Sequence, residues 1–306
     1  MLDIISVGPG EAVLLTDDAK QAIDRADAVW CAARHAVLVP PEKARPLSPL
    51  EGAIEQMRLS SDAGQSAAVL VSGDAGLYSL LEMLKRKIGG EYLRVHPGVS
   101  ALQLFAARLG VSWQDAKILS AHGRALSESA LCHAVRTHRQ TFCFLDAAHN
   151  PAWVRESLNL GGLENVRLFV GERLSYPDER TEAYDPDATY DPLCMAYIEN
   201  DAPESGLPPV GLSDEAFIRG KTPMTKRDVR ALVVSALHLK PNGVVWDIGA
   251  GTGSVSVECA RQCPLGEVYA VEMKDEALDL IRRNAERFHA LNLRVVPGRA
   301  PEVLSA

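Results

Sequence analysis

Asp247-Ile248-Gly249-Ala250-Gly251-Thr252-Gly253 follows the apolar run Val244-Val245-Trp246, and Glu272 closes the next apolar run, Val268-Tyr269-Ala270-Val271. This reads as a strand, a glycine turn and the start of a helix, with an acid at the tip of the neighbouring strand. Glycines let a ligand approach the backbone and free the amides at the helix start, while an acid about twenty residues on can hold ribose hydroxyls. The stretch from 240 to 275 therefore predicts a nucleoside-type cofactor. The dinucleotide fingerprint wants its third glycine at position 254, which is Ser254 here; the third glycine comes one residue early, at Gly253. That spacing favours S-adenosylmethionine over NAD.

Around this turn, Lys226 to Leu237 reads as an amphipathic helix. Val244 to Asp247, Val268 to Glu272 and Leu293 to Val296 read as strands, separated by helices over Val255 to Arg261 and Glu276 to His289. The chain stops at Ala306 after only three strands of this sheet, so half a domain is expected to be missing. A sheet edge and apolar helix faces would then lie uncovered, which invites association. Either the chain is a fragment or a partner covers that edge, and a homo-oligomer is expected.

Upstream, residues 201 to 212 are dense in Pro, Gly and acidic turn formers and read as a linker. From Met1 to about Asn200, short apolar runs alternate with segments of helical period, the pattern of an α/β fold with a largely parallel sheet. Strands are expected at Ile4 to Val7, Ala28 to Cys31, Ala67 to Ser72, Leu93 to His96, Ala116 to Ser120, Thr141 to Leu145 and Arg167 to Val170. Helices are expected at Asp17 to Ala26, Leu77 to Ile88, Ser100 to Leu109, Glu128 to Arg136 and Pro151 to Leu160, several opened by capping residues such as Thr16 and Asn150. The loop near residues 121 to 127 divides this region into lobes of about 1 to 121 and 122 to 200.

With 306 residues, 47% hydrophobic and 24% charged, the chain is long enough for two sizeable cores and is not of disordered composition. No apolar run reaches a membrane span, and Met1 to Val7 is a strand without a basic leader, so a cytoplasmic protein is expected. The six cysteines never form CxxC and each sits in or beside an apolar stretch, which suggests neither disulfides nor a metal site. A formal charge of −8 without clustered Lys and Arg argues against a nucleic-acid partner.

Four loops in the first 125 residues share one design, an apolar strand running into small, sharply turning residues. They are Gly8-Pro9-Gly10, Ser72-Gly73-Asp74-Ala75-Gly76, Pro97-Gly98-Val99-Ser100-Ala101 and His122-Gly123-Arg124. At the carboxyl ends of strands in an open α/β sheet, such loops let a flat ligand sit against backbone groups. For any single residue a purely structural role is about as plausible, with Asp74 and Ser100 capping the helices that follow them. In this combination and order the loops resemble those of the tetrapyrrole methylase family, over residues 1 to about 200, including Asp146 to Pro151 and Gly171 to Glu179. The remainder, with Thr225 to Arg230, Asp247 to Gly253 and Gly298 to Glu302, is similar to a companion methyltransferase of corrin biosynthesis.

The resemblance implies an α/β protein, with an N-terminal two-lobed tetrapyrrole methylase domain at 1 to 200 and an incomplete Rossmann-like methyltransferase domain at 213 to 306. It implies an enzyme that uses S-adenosylmethionine to methylate a corrin precursor at two positions, with loss of carbon dioxide from a ring acetate. By resemblance the cofactor role falls on Pro9, Gly73, Asp74, Gly76, Leu77, Ser100 and Ala101 in the first domain. In the second it falls on Gly249, Gly251, Gly253 and Glu272, with Thr225 beside them. Methyl transfer needs alignment and exclusion of water, not a side-chain nucleophile, so no catalytic residue is assigned. Arginine forks suit a polycarboxylate substrate, and Arg34, His35, His96, His122, Arg124 and Arg173 lie on or beside the loops. His122 and Arg124 rank first as substrate contacts. The alternative is a tetrapyrrole methyltransferase acting at another ring position, its C-terminal part serving only in cofactor binding or oligomer contacts.

Overall fold

The computed structural model describes residues 1–10 and 12–304. In chain order the elements are β1 (Leu2–Ser6), α1 (Asp17–Arg25), β2 (Ala28–Cys31), β3 (Ala44–Pro46), α2 (Leu50–Asp62), β4 (Ala67–Val71), α3 (Leu81–Ile88), β5 (Leu93–His96) and α4 (Ala101–Leu109). They continue as β6 (Lys117–Ser120), α5 (Glu128–Thr137), β7 (Gln140–Phe144), α6 (Pro151–Leu160), β8 (Arg167–Glu172), β9 (Arg180–Ala183) and β10 (Cys194–Glu199). The last are α7 (Arg227–Ala236), β11 (Val244–Ile248), α8 (Ser254–Gln262), β12 (Glu267–Glu272), α9 (Asp275–Arg287) and β13 (Leu293–Pro297). Two compact units result: Met1–Asp115 with Phe169–Ala183 and Asp187–Met195, and Ala116–Leu168 with Tyr184–Pro186 and the chain from Ala196 onward.

In the first unit the parallel strand order β3-β2-β4-β1-β5 puts β1 between β4 and β5, with Ile4 level with Val69 on one side and Val95 on the other. Every residue of β1 and β4 is buried, as central parallel strands covered on both faces require. The alternation of β1 assigns its faces. Leu2 and Ile4 pack with Ile54 and Met57 of α2 and Leu84 of α3, whereas Ile5 and Val7 pack with Ala19, Ala22 and Ile23 of α1. Asp3, on the α1 side and 2% exposed, accepts from Arg94 Nε at 2.6 Å and Nη2 at 2.8 Å, with His96 Nε2 at 3.2 Å. Burial pushes this carboxyl up, but the donations of Arg94 and His96 outweigh it and hold it below the usual range.

Thr16 caps α1 and a reciprocal Ser100–Gln103 box caps α4, as the residue types led one to expect. Five elements depart from the sequence reading, two of them the short strands β3 and β9, which it does not expect. The helix expected from Leu77 starts only at Leu81, because Tyr78 adopts a left-handed φ of 50° and the chain turns through 77 to 80 first. Helix α2 is additional, its apolar stripe Ala53, Ile54 and Met57 buried against the sheet. So is β10, whose Cys194 to Ile198 are all buried.

In the second unit β6 and β7 are parallel neighbours and α5 packs on α6. Strands β11, β12 and β13 form a parallel sheet in that order, with Val245 level with Val268 and Val268 level with Leu293. Its core gathers Val257 and Cys259 of α8, Val268 and Ala270 of β12, Ile281 of α9 and Phe217. Edge strand β11 exposes Val244, Trp246 and Ile248 by 64%, 46% and 50%. Helix α7 is amphipathic in the unexpected sense: Val229 and Leu232 point outward while Arg230 is fully buried. Residues 201 to 212 run without helix or strand but are held at Glu204, whose N–H donates to the Arg136 carbonyl at 2.8 Å, and at Pro208, whose carbonyl accepts from Gln262. No helix among the described residues is long and apolar enough to cross a membrane.

Candidate cofactor sites

Because β4, β1 and β5 are adjacent and parallel, the loops after them meet at one sheet end in the first unit. Gly8 and Gly73 exchange backbone hydrogen bonds of 3.2 and 2.7 Å, which locks the β1 and β4 loops together. Asp74 ties in the third loop. Its Oδ1 accepts from Gly76 N–H at 2.8 Å and its Oδ2 from Gly98 N–H at 3.2 Å. Beneath them, Ser6 Oγ accepts from Ala75 N–H at 2.9 Å. Asp74, Gly76 and Ser100 thus shape the loops through contacts of their own, with Ser100 spent on its capping box. Tyr176 closes over Gly10, where a Cβ would fall 2.0 Å from its hydroxyl. Neither Ser6 nor Tyr176 was legible as part of this loop cluster, since each reaches it through the fold.

Gly98 is required by space: a Cβ there would lie 2.8 Å from Ser6 Cβ and 2.9 Å from the Ser6 carbonyl oxygen. Gly98→Ala must push the loop off β1, at about 1–3 kcal/mol, and break its bond to Asp74. Calorimetry with S-adenosylhomocysteine is expected to show affinity at this unit reduced about tenfold or more. Unchanged affinity would mean that this loop does not border the ligand.

Beside these loops, His35 is completely buried; its Nε2 lies 2.8 Å from Ser72 Oγ and 3.3 Å from Arg34 Nε, and Arg34 Nη2 donates to Ser72 Oγ at 2.7 Å. A guanidinium only donates, so Nε2 accepts and the neutral ring carries its proton on Nδ1, which is buried without a partner. Burial, and then the charge of Arg34, push this imidazole down to about 4.

In the second unit the glycine turn leads from β11 into α8. Gly249 and Ala250 N–H donate to the Val271 carbonyl at 2.9 and 3.0 Å, holding the turn against β12. Glu272 accepts three backbone N–H groups, from Gly251 at 3.0 Å and from Met273 and Lys274 at 2.8 and 3.0 Å. Burial raises its pKa, but those donations outweigh it and leave the carboxyl below its ordinary value, so it is an anion at neutral pH. Asp247 goes the other way: burial raises it, Ser256 Oγ at 2.5 Å offsets part, and the charge of Glu272 adds to the rise. Thr252 Oγ1, in the same turn, is buried without a hydrogen-bond partner, so the turn retains a polar group to satisfy. Gly253 has a left-handed φ of 75°, and a Cβ there would meet Ile281 of α9 at 3.1 Å. Thr222 and Pro223 lie against Gly251, and exposed Thr225 follows two residues later.

Glu272→Gln sets an amide against three N–H donors and cannot satisfy all of them. A cost of about 1–3 kcal/mol is expected, read by urea unfolding at pH 7. The sign with pH follows from the depressed value. The wild-type advantage is full above the ordinary 4.5 and fades as pH falls through the folded value. A difference that grew on acidification would overturn this account.

The substrate candidates are placed unevenly. His122 and Arg124 sit exposed in the turn after β6, in the second unit, and Arg124 N–H closes that turn on Ala121. His96 is buried, 2.5 Å from Asp18 and 3.2 Å from Asp3, and Arg173 pairs with Asp178 at 2.6 Å and Asp191 at 3.6 Å. Both are therefore engaged within the protein.

Residues 1–185 match the model of the tetrapyrrole (corrin/porphyrin) methylases, and residues 215–306 match that of the precorrin methyltransferase domain. A precorrin-6Y C(5,15)-methyltransferase (decarboxylating) from Sinorhizobium sp is 32% identical over 99% of this chain and 75% of its own length. This chain belongs to the tetrapyrrole methylases, in the precorrin-6Y C(5,15)-methyltransferase family. Its last third is also similar to a probable cobalt-precorrin-6B C(15)-methyltransferase (decarboxylating) of Pyrobaculum calidifontis, 50% identical over 31% of this chain and 50% of that relative. The match thus spans half the length of that relative. Among solved structures, uroporphyrin-III C-methyltransferase of Thermus thermophilus in complex with S-adenosylhomocysteine has a TM-score of 0.53 at 18% identity, covering 65% of this chain and 96% of that one. That likeness shows the tetrapyrrole methylase fold. The N-terminal α/β architecture and the glycine turn of the second domain agree with the sequence reading; the burial of Arg230, the Ser6 support and the His35 cluster are additions from the structure.

Proposed function

We propose that this chain transfers methyl groups from S-adenosylmethionine to carbons of a precorrin-6-type corrin precursor in cobalamin biosynthesis, with linked loss of carbon dioxide from a ring acetate. The observation that carries the reading is the presence, in one chain, of two sets of glycine turns at the ends of parallel strands, each in a segment matching its own methyltransferase family. The residues fit such a cofactor: Gly8, Gly73 and Gly98 keep the first loops free of side chains, and Glu272 offers an anionic tip beside Gly251 and the buried Thr252 hydroxyl.

When bound, S-adenosylmethionine supplies an electrophilic methyl group. The chain's own share is alignment and exclusion of water. Pro9, Gly73, Asp74, Gly76, Leu77, Ser100 and Ala101 border one cofactor, and Thr225, Gly249, Gly251, Gly253 and Glu272 border the other. Productive alignment brings reacting atoms to about 3–3.5 Å. His122 and Arg124 receive substrate carboxylates in this proposal, and the conjugated macrocycle takes up the electrons released by decarboxylation.

Titration of the full chain with S-adenosylmethionine is expected to show two saturable sites, and incubation with the corrin precursor to give methylated product with carbon dioxide released. Absence of saturable binding would refute the proposal; methylation without carbon dioxide would refute its decarboxylation part. A second reading rests on the exposed apolar face of β11 and α7: the C-terminal part binds cofactor and contacts another copy of the chain without catalysis. Binding there without turnover, in a chain that sediments as an oligomer, would favour it.

A further inference from the structure

Within the second unit, away from the glycine turn, a cavity of about 340 Å³ opens between α5, residues 204 to 212, α8 and the turn after α9. Arg136, Arg261 and Arg287 line it, against a single carboxylate, Glu204. In a chain of net charge −8 that is a local reversal of sign. Arg136 spends one arm on the Gly161 carbonyl at 2.6 Å and stands 3.7 Å from Glu204. Glu204 is the more solvated partner, its side chain 58% exposed.

Arg261 is half-buried, and among the described residues its side chain makes neither a hydrogen bond nor an ion pair. Burial pulls its pKa down, yet a guanidinium does not give up its proton in a protein. Its near acid, Glu258, is already occupied by Arg230 Nε at 2.6 Å and by the N–H groups of Gly211 and Leu212. The ring of His133, half-buried on the same wall, also has no hydrogen-bond partner among the described residues; burial and the charge of Arg136 keep it neutral, with a ring N–H to donate. Partly desolvated charge without a partner is costly, and buried polar groups are as a rule satisfied.

We propose that this cavity binds a small, multiply charged oxyanion of the phosphate class, gripped by Arg261 and Arg136, with Arg287 at the rim. Guanidinium forks match the paired oxygens of such an anion. The volume lies at the lower end for ligand pockets and suits a compact anion, not a macrocycle. The inference is independent of the methyl-transfer reading, because none of these residues belongs to either cofactor turn.

The test is calorimetric titration of the full chain with sodium phosphate at constant ionic strength held by sodium chloride. One saturable site is expected for the wild type. Arg261→Gln is expected to weaken it about tenfold or more, and Arg287→Gln, at an exposed position where folding is not at stake, several-fold. Arg283→Gln, whose exposed side chain pairs with Asp279 outside the cavity, serves as the charge-matched control and is expected to bind as the wild type does. No saturable heat up to about 10 mM phosphate, or equal affinity in the Arg287 and Arg283 variants, would overturn the proposal.

Discussion

Arg230→Met is expected to destabilise the second unit by about 3–5 kcal/mol, measured as a lowered urea midpoint with an unchanged slope. Arg230 is completely buried, and its Nε donates to Glu258, itself 1% exposed, at 2.6 Å. Nη1 donates to the Thr225 carbonyl at 2.6 Å and to Asp214 at 3.2 Å, Nη2 donates to the Leu212 carbonyl, and the guanidinium carbon lies 4.6 Å from the Phe217 ring centre. One side chain thus pins the segment 212 to 225 onto α7 and α8. Removing it leaves Glu258 charged in the interior with only two backbone donors, and strands two carbonyls. The cost measures the break, not the net worth of the pair, since a buried ion pair gains little over well-packed apolar residues. The double variant Arg230→Met, Glu258→Leu is accordingly expected to recover a substantial part of the loss. A single-variant loss below about 1 kcal/mol would contradict the burial assigned to Arg230.

Acidification is expected to remove about 3 kcal/mol through His35 alone. In the unfolded chain this imidazole takes up a proton as pH falls below 6.5, but in the folded protein only near 4, because burial and Arg34 oppose the charge. The unfolded state therefore binds more protons across that window. Stability falls as pH drops from about 6.5 to about 4 and levels off below, as far as this group is concerned. The check compares urea unfolding of the wild type and His35→Gln at several pH values. The variant lacks the titration, so the wild-type advantage should shrink by that amount over the window. Arg34→Gln, altering an exposed neighbour, should narrow the window by letting the folded value rise. Parallel profiles for wild type and His35→Gln would rule the mechanism out.

His35 contacts Ser72 at the start of the loop after β4 and Arg230 donates to the Thr225 carbonyl, and neither is legible in the sequence as structurally decisive. Arg230 falls on a helix whose apolar residues Val229, Leu232 and Val233 suggest the buried stripe, yet these are exposed and the arginine is inside. Helical period locates a stripe, but a polar residue with five donors can be buried when fixed carbonyls and carboxylates await it, and those come from residues 212, 214, 225 and 258, distant in sequence. Helix α3 starts later than the sequence predicts for a local reason: Tyr78 takes a left-handed conformation that its residue type does not announce.

What the amino-acid order determined alone was local and periodic. The apolar runs became β1, β4 and β12, the capping residues Thr16, Ser100 and Asn150 opened helices, and the glycine turn with Glu272 in register took shape. These depend on interactions over a few residues, or on one strand pairing with the next. Only the tertiary structure decided that the loops after β4, β1 and β5 converge, because a strand order of β4-β1-β5 is a property of crossovers that no stretch of sequence encodes. The same holds for Ser6 beneath Gly98, Arg230 against Glu258, and the unpaired Arg261 facing its cavity. Burial and partners are set by chain segments tens of residues apart, and it is burial that turns an ordinary arginine, histidine or serine into one on which the protein depends.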